Sequence, residues 1–383
     1  MNPAGEADGP IAHLRLRPEM TRGRRFPELR HPYRNDFQRD RDRVIHTRAF
    51  RRLENKTQVF TPGLSDHFRN RLTHSIEVSQ MARTVAQALG VDPDLTEALS
   101  LVHDIGHPPF AHSGEEELSR QMARFGETFD HNLHALRIVE NFEQRYARFP
   151  GLNLTFELRE GIVKHSRDLV PGENPELDEY LPDQRPPIEA QLIDLADEIA
   201  YSTADLDDAQ QAGFFTLAEL GKAVPAWDDL YDTAQSMYPG APARVQFHEA
   251  LRQMIDLLVT GFVDGTVAAC RAAGARSVED VRRHPQRLAC LLPDARKTCL
   301  ELKRFLRQRV YLSKELNAER ERSVQMIGEL FAYFEADPMR LPDPYREQVA
   351  VRPAHHVICE YIAGMTDGYC GRRYQELIVD KQA

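Results

Sequence analysis

Apolar positions along this 383-residue chain recur mostly at helical spacing, and strand-like alternation is scarce. Phe37, Val44, Ile45, Ala49, Phe50 and Leu53 predict a helix over 36–53, followed by a turn at Thr61-Pro62-Gly63. Leu72, Ile76, Met81, Val85 and Leu89 predict a helix over 70–89, with Gly90 at its C-cap. Asp92-Pro93 then pairs an N-cap with a proline at the first helical position. That helix should run through Leu95, Leu99 and Val102 and stop near Gly106. Further helices are expected over 114–124 and 131–147, with a short one over 156–165 and a strong one over 188–210. The proline-rich, acidic stretch 167–187 reads as a surface loop. Beyond 215 helices continue to the end, broken at Pro239-Gly240, Pro285, Pro293 and Pro338 to Pro344. Residues 1–12 read as disordered, and no 20–50-residue period suggests repeats. No linker stands out, so the expectation is one all-α domain with a C-terminal helical elaboration.

Composition narrows this picture. With 42% hydrophobic and 28% charged residues, the chain is of the globular type and long enough for a substantial core. It has no run of 18 apolar residues, so no transmembrane helix and no membrane partner are expected. The polar, acidic N-terminus lacks the apolar region of a secretory signal, so a cytoplasmic location is expected. The five cysteines are odd in number and lack CxxC spacing, which argues against a disulfide framework or a structural zinc site.

Charge is uneven. Net charge is −10, yet Leu14 to Lys56 holds thirteen Arg and one Lys against six acids, a local +8 that leaves −18 elsewhere. Such an arm suits an anionic partner: phosphates of a small ligand, nucleic acid, or the acidic surface of a sister subunit. The plainer reading is a solvated basic segment.

Five of the fifteen histidines fall between His74 and His131 where they can converge. Helix neighbours point about 100° apart, so His103-Asp104 would rarely chelate one ion from mid-helix. At a helix end, just before Gly106, both can reach one metal, and His74 on the preceding helix can approach them. Asp197, in a strongly helical segment, is the best candidate for a fourth ligand. Two imidazoles and two carboxylates suit Mn²⁺, Mg²⁺ or Fe²⁺. Any one of these residues alone reads as a cap or core residue; the set reads as a metal centre. Next along the chain, His107-Pro108-Pro109 stiffens the exit from that centre. His112 and Glu115, three apart at a helix start, can share a face, the carboxylate orienting an imidazole for general acid work. His131 is a further candidate near the same pocket; His134 reads as a surface or capping residue. Asp197, Tyr201 and Asp205 form an i, i+4, i+8 stripe about 12 Å long. That span matches the step from a metal-bound phosphate to a sugar, with Tyr201 on the sugar face and Asp205 accepting from a hydroxyl.

The pattern His74 … His103-Asp104 … Asp197 resembles the metal signature of the HD superfamily. Arg51-Arg52-Leu53-Glu54-Asn55-Lys56-Thr57-Gln58-Val59-Phe60, Asn70-Arg71-Leu72-Thr73-His74-Ser75 and His103-Asp104-Ile105-Gly106-His107-Pro108-Pro109-Phe110 narrow it. With Ala196-Asp197-Glu198-Ile199-Ala200-Tyr201 and Tyr361-Ile362-Ala363-Gly364-Met365-Thr366-Asp367, the chain resembles the dGTPase-like dNTP triphosphohydrolases over residues 20 to 375. The resemblance implies an α-helical HD fold and hydrolysis of a dNTP to deoxynucleoside and inorganic triphosphate. It implies His74, His103, Asp104 and Asp197 as metal ligands, for Mn²⁺ or Mg²⁺, with Fe²⁺ and Ni²⁺ as further options. It implies His112 as the catalytic histidine, Glu115 as its carboxylate partner, and His107 and His131 as further histidines of the pocket. Gln58 would lie near base or sugar, and Arg71, with Lys56 or other arm cations, would meet the phosphates. Tyr201 and Asp205 would surround the sugar 3′-hydroxyl, and Tyr361 and Asp367 would line the pocket. The domain plan becomes a flexible N-terminus (1–20), a basic arm (21–60), an HD core (61–215) and a C-terminal helical region (216–383). The family also implies a homo-oligomer, commonly a hexamer, a dNTP activator in some members and single-stranded DNA binding in others.

Two rival readings remain open. One is another HD phosphohydrolase acting on a nucleoside monophosphate, a cyclic dinucleotide or a guanosine polyphosphate. The other is a nucleotide-sensing or single-strand-binding protein with a vestigial hydrolytic site.

Overall fold

A computed structural model of the chain describes residues 9–59 and 68–380. Residues 1–8, Phe60 and the turn expected at Thr61-Pro62-Gly63 lie outside the described residues. Among the described residues every regular element is helical, apart from two isolated bridges, Arg24–Thr155 and Thr57–Asn70. The protein is all-α, as its apolar periodicity predicts.

The chain divides into two compact units, each assembled from three separate stretches. The consecutive segments expected from sequence give way to this interleaved arrangement.

The first unit comprises Met1–Asp42, Ile76–Leu101 and Leu154–Ser313. Its centre is the 30-residue helix Ala243–Ala272, whose buried Phe247, Ala250, Met254, Leu258 and Phe262 recur every three or four residues. The helices Ile188–Gln211, Pro225–Met237 and Pro293–Leu306 pack against it. Each fully buried Phe or Leu adds roughly 1.5–3 kcal/mol of hydrophobic stabilisation. Ala243–Ala272 is long and apolar enough to cross a membrane by length and composition, although the chain has no run of 18 apolar residues. Its charged Glu249, Arg252 and Asp256 stand on the face opposite those core residues, the pattern of an amphipathic core helix. Local chemistry sets the starts: Thr216 and Glu219 form a capping box, Ser277 caps Asp280, and Pro293 opens a helix rather than breaking one.

Three expectations are corrected within this unit. Residues 9–20, read as flexible, are tucked in: Ile11, Leu14 and Leu16 are buried, and the Ile11 N–H donates to the Leu89 carbonyl (3.1 Å). The 167–187 loop contains a short 3₁₀ turn, Pro175–Tyr180, that buries Leu177 and Tyr180, because the Tyr180 hydroxyl finds Arg159 (2.9 Å). Part of the basic arm is neutralised inside the unit: Arg15 pairs with Asp92, Arg24 with Asp36 and Asp40, and Arg41 with Glu97.

The second unit comprises Arg43–Ser75, Val102–Asn153 and Lys314–Ala383. Its core is built by Leu118 and Met122 of helix Ala111–Ala123, by Ile327, Phe331 and Phe334 of Lys314–Ala336, and by Val357, Ile358 and Ile362 of Ala354–Ala363. The expected 131–147 helix is shorter, running His131–Arg137 and ending in one wider turn, Ile138–Phe142. The expected 36–53 helix is two, Asp36–Ile45 and Arg48–Arg52. Thr47 divides them: its hydroxyl donates to the Val44 carbonyl (2.7 Å) and accepts from the Phe50 N–H (2.9 Å). The cysteines are free, and all but Cys290 are buried.

Candidate metal and catalytic centre

Helix Pro93–Val102 starts as its sequence dictates, with Asp92 Oδ1 accepting from the Leu95 N–H (2.9 Å). It ends at Val102, and the turn that follows carries His103 and Asp104 past the last helical residue. That frees the two side chains to converge. His74, one turn into helix Arg71–Leu89, faces them: one ligand atom each of His74, His103 and Asp104 lies within 4.8 Å of the others. All three are buried. Two imidazoles and a carboxylate at this separation form a donor set that can hold a divalent ion.

Asp104 is the hub. Its Oδ2 accepts from Arg71 Nη1 (2.7 Å), and its Oδ1 lies 3.1 Å from His107 Nε2 and 3.5 Å from His103 Nε2. Burial pushes the Asp104 carboxyl up, but Arg71, His103 and His107 prevail and hold it well below the ordinary carboxylate range. Burial pushes His107 well down, with Arg71 and His131 adding to the effect against Asp104, so its imidazole is neutral at neutral pH. His107 Nδ1 and Arg71 Nε are buried and have no hydrogen-bond partner among the described residues. Such groups are costly unless something else satisfies them.

From His107 the contacts continue outward. Its ring stacks on His131 (centroids 3.9 Å apart), and His131 Nδ1 lies 2.7 Å from Glu115 Oε1. The expected His112–Glu115 pairing is looser, at 3.8 Å, and His112 is 78% exposed. The backbone explains the difference. Phe110 and Ala111 both adopt left-handed conformations (φ 62° and 54°), which turns His112 outward at the first turn of helix Ala111–Ala123. Two consecutive non-glycine residues in that region store strain of about 1–3 kcal/mol each. Burial would raise Glu115, but its interactions with His112, His131 and His107 hold it well below the carboxylate range.

Asp367 holds this elbow. One carboxylate oxygen accepts from the Phe110 N–H (2.9 Å), the other from the Thr57 N–H (2.7 Å). Its family position suggested a pocket-lining residue; its carboxylate instead ties the 53–57 segment to the elbow. Lys56 is corrected as a phosphate candidate. It is 3% exposed, and its ammonium donates to the carbonyls of His107 and Ala363. Burial brings it down to about 7, opposed by Asp367 and assisted by Arg71 and Arg52. Tyr361 likewise belongs to the apolar core, its ring against Tyr345 and Phe334 and its hydroxyl 3.2 Å from that of Tyr369. Gln58 is half-buried, and its Oε1 has no hydrogen-bond partner among the described residues. His134, expected at the surface or as a cap, is buried and pairs through Nδ1 with the Gly106 carbonyl (2.9 Å). Burial lowers it to about 3 despite that bond, so Nδ1–H donates from a neutral ring. Gly106 is obligatory for this packing: a Cβ there would meet the His131 carbonyl oxygen at 2.0 Å.

The structure thus joins Arg71, His74, His103, Asp104, His107, His131, Glu115 and His112 through successive contacts in the second unit. Asp197, Tyr201 and Asp205 stand on helix Ile188–Gln211 of the first unit. There Asp205 is buried and its Oδ2 accepts from the Tyr311 hydroxyl (2.5 Å). Tyr201 lies beside Lys303, whose Nζ is 5.9 Å from the ring centroid; burial raises the phenol to about 12 against the pull of Lys303. Tyr311 escaped the sequence reading, because a tyrosine inside the basic Arg307–Tyr311 run carries no motif.

The HD domain model matches residues 71–202, and the phosphohydrolase-associated domain model matches 289–376. The deoxyguanosinetriphosphate triphosphohydrolase-like protein of Azoarcus sp. strain BH72 is 42% identical over 368 residues, covering 96% of each chain. Those of Bordetella pertussis and Geobacter sulfurreducens are 43% and 39% identical. They cover 94% and 93% of this chain, and 94% and 92% of their own length.

Proposed function

Because the chain belongs to the deoxyguanosinetriphosphate triphosphohydrolase-like family of HD-domain phosphohydrolases, we propose that it cleaves a deoxynucleoside triphosphate, in the cytoplasm, into deoxynucleoside and inorganic triphosphate. The observation that carries this reading is the buried His74–His103–Asp104 cluster adjoining Arg71 and the His107–His131–Glu115 series.

His74, His103 and Asp104 would hold a divalent ion such as Mn²⁺ or Mg²⁺, with Asp197 as a further ligand. When bound, that ion acidifies water and offsets phosphoryl charge. The remaining work falls to the protein. Arg71 keeps Asp104 ionised through Nη1 and offers its unpartnered Nε to a triphosphate oxygen, in the planar donor geometry suited to phosphate. His107, buried and neutral, spends its Nε2–H on Asp104, which leaves Nδ1 as an acceptor for a water or a substrate hydroxyl. A water oxygen bonds to the α-phosphorus as the P–O5′ bond breaks, and His112, exposed on its strained elbow, gives a proton to the departing O5′. Glu115 holds His131 by a short hydrogen bond and faces His112, so it orients both imidazoles. Gln58 offers base or sugar its Oε1, which has no partner among the described residues. The Asp205–Tyr311 pair and Tyr201 receive the sugar, a hydroxyl replacing or extending the existing hydrogen bond.

Two variants test these roles. His112→Ala should abolish turnover and leave bound metal unchanged; metal loss in that variant would refute the proton-donor role. Asp197→Ala should lose metal and activity together; full retention of both would remove it from the ligand set.

A further inference from the structure

Away from this centre, the second unit brings together another set of metal-ligating groups: Glu127, His355 and His356. Glu127 follows helix Ala111–Ala123 through a turn whose bonds fix its backbone. The Phe125 N–H donates to the Met122 carbonyl (2.9 Å), the Gly126 N–H to Ala123 (3.1 Å) and the Glu127 N–H to Met122 (3.3 Å). Gly126, at φ 78°, supplies the left-handed residue this helix ending needs. His355 and His356 lie in the first turn of helix Ala354–Ala363, whose Val357 and Ile358 anchor it in the core.

Adjacent helical residues normally diverge, yet both imidazoles here present Nε2 to one carboxylate. His356 Nε2 is 2.5 Å from Glu127 Oε2, and His355 Nε2 is 3.4 Å from Oε1. One ligand atom from each residue lies within 4.8 Å of the other two. The His355 ring is stacked on Phe125 (centroids 4.1 Å apart, planes within 5°), which fixes its plane before any ligand arrives. Among the described residues, the ionic partners of Glu127 are these two histidines. The three side chains are 17%, 22% and 42% exposed for His355, His356 and Glu127, so solvent reaches the open side.

We propose that Glu127, His355 and His356 form a second metal site that takes Zn²⁺ in preference to Mg²⁺. Two imidazoles and one carboxylate are a zinc donor set, with a fourth position open to water. Mg²⁺ favours oxygen ligands and octahedral geometry, so a set with two imidazole nitrogens selects against it. The bound ion clips the end of helix Ala111–Ala123, which carries Glu115 at its other end, to helix Ala354–Ala363. It would act as a structural clip on the second unit.

The test is zinc stoichiometry on the full chain. Wild type and a His355→Ala/His356→Ala double variant are stripped of metal, titrated with Zn²⁺ alone in a competition assay against a chromophoric chelator, and melted with and without Zn²⁺. Wild type should bind one Zn²⁺ more than the variant and gain thermal stability that the variant does not gain. Hydrolysis in Mn²⁺ should be equal in both. Equal zinc stoichiometry would overturn the proposal. Anomalous scattering at the zinc edge from wild-type crystals checks it without mutation: a peak about 2.0–2.2 Å from all three ligand atoms supports the site. No peak there at full loading overturns it. Loss of metal from the His74–His103–Asp104 cluster would affect a separate peak, so failure of one reading is distinguishable from failure of the other.

Discussion

Arg71 Nη1 donates to Asp104 Oδ2 across 2.7 Å, and both side chains are buried. Each explains the other: the guanidinium keeps the carboxylate ionised away from water, and the carboxylate fixes the fork with its Nε still unsatisfied. Removing one partner of a buried pair leaves an uncompensated charge, at a cost of about 3–5 kcal/mol. Arg71→Gln should therefore lower the stability of metal-free protein by about 3 kcal/mol in urea denaturation. Saturating Mn²⁺ should recover part of the loss, since the ion replaces the lost positive charge, while turnover should stay at least about 100-fold down. A variant with unchanged metal-free stability would show that the pair is not the support described.

Both carboxylate oxygens of Asp367 hold backbone N–H groups, of Phe110 and of Thr57, and its charge also acts on the buried Lys56 ammonium. Asp367→Ala releases the strained residues that aim His112. Its kcat should fall by roughly 10- to 100-fold with a smaller change in KM, because misplacement acts on the step rather than on binding. A KM effect with unchanged kcat would instead mark Asp367 as a substrate contact.

Gly106 lies so close to helix His131–Arg137 that a Cβ would reach the His131 carbonyl oxygen and, at 2.6 Å, the Ala135 nitrogen. Backbone cannot yield as a side chain can. Gly106→Ala should cost about 3 kcal/mol, at the upper end for overpacking, and separate His107 from His131. Thermal melting checks the first effect and loss of activity in the surviving folded fraction checks the second.

Glu189 supplies a pH signature independent of the metal. It is buried in the first unit, its Oε1 accepting from the Leu16 N–H (2.9 Å) and the Asp92 N–H (3.1 Å). Burial raises it to about 7 against those two hydrogen bonds. The folded state therefore holds a proton that the unfolded state releases near 4.5. The stabilising contribution is complete below about 4.5 and is lost as pH rises through about 7. Glu189→Gln keeps the carbonyl acceptor and removes the titration. Relative to wild type, the variant should gain about 3 kcal/mol between pH 4 and pH 8. Parallel stability curves over that range would contradict the assignment.

Much of this was legible in the sequence where one residue type forces one geometry. Asp92-Pro93 starts its helix as expected, and the helix stops where His103 and Asp104 need loose backbone. The stripe from Asp197 to Asp205 lies on one continuous helix. Other features depend on partners distant in sequence. Nothing about Phe110 or Ala111 advertises a left-handed conformation, because the bond that holds it comes from Asp367. Glu115 reads as the partner of His112 by spacing, but its shorter contact is to His131, sixteen residues away. Lys56 looks like a phosphate-binding cation until the fold buries it between two carbonyls. The two units escaped the linear reading because each draws on three stretches of chain.

The products reveal which bond breaks. Purified protein should be incubated with each dNTP, singly and in mixtures, in Mn²⁺ and in Mg²⁺, and the products separated chromatographically. Deoxynucleoside and intact inorganic triphosphate should appear in equal amounts; turnover confined to mixtures would add an activating nucleotide. Nucleoside monophosphate with pyrophosphate, or no turnover in any mixture, would contradict the proposed cleavage.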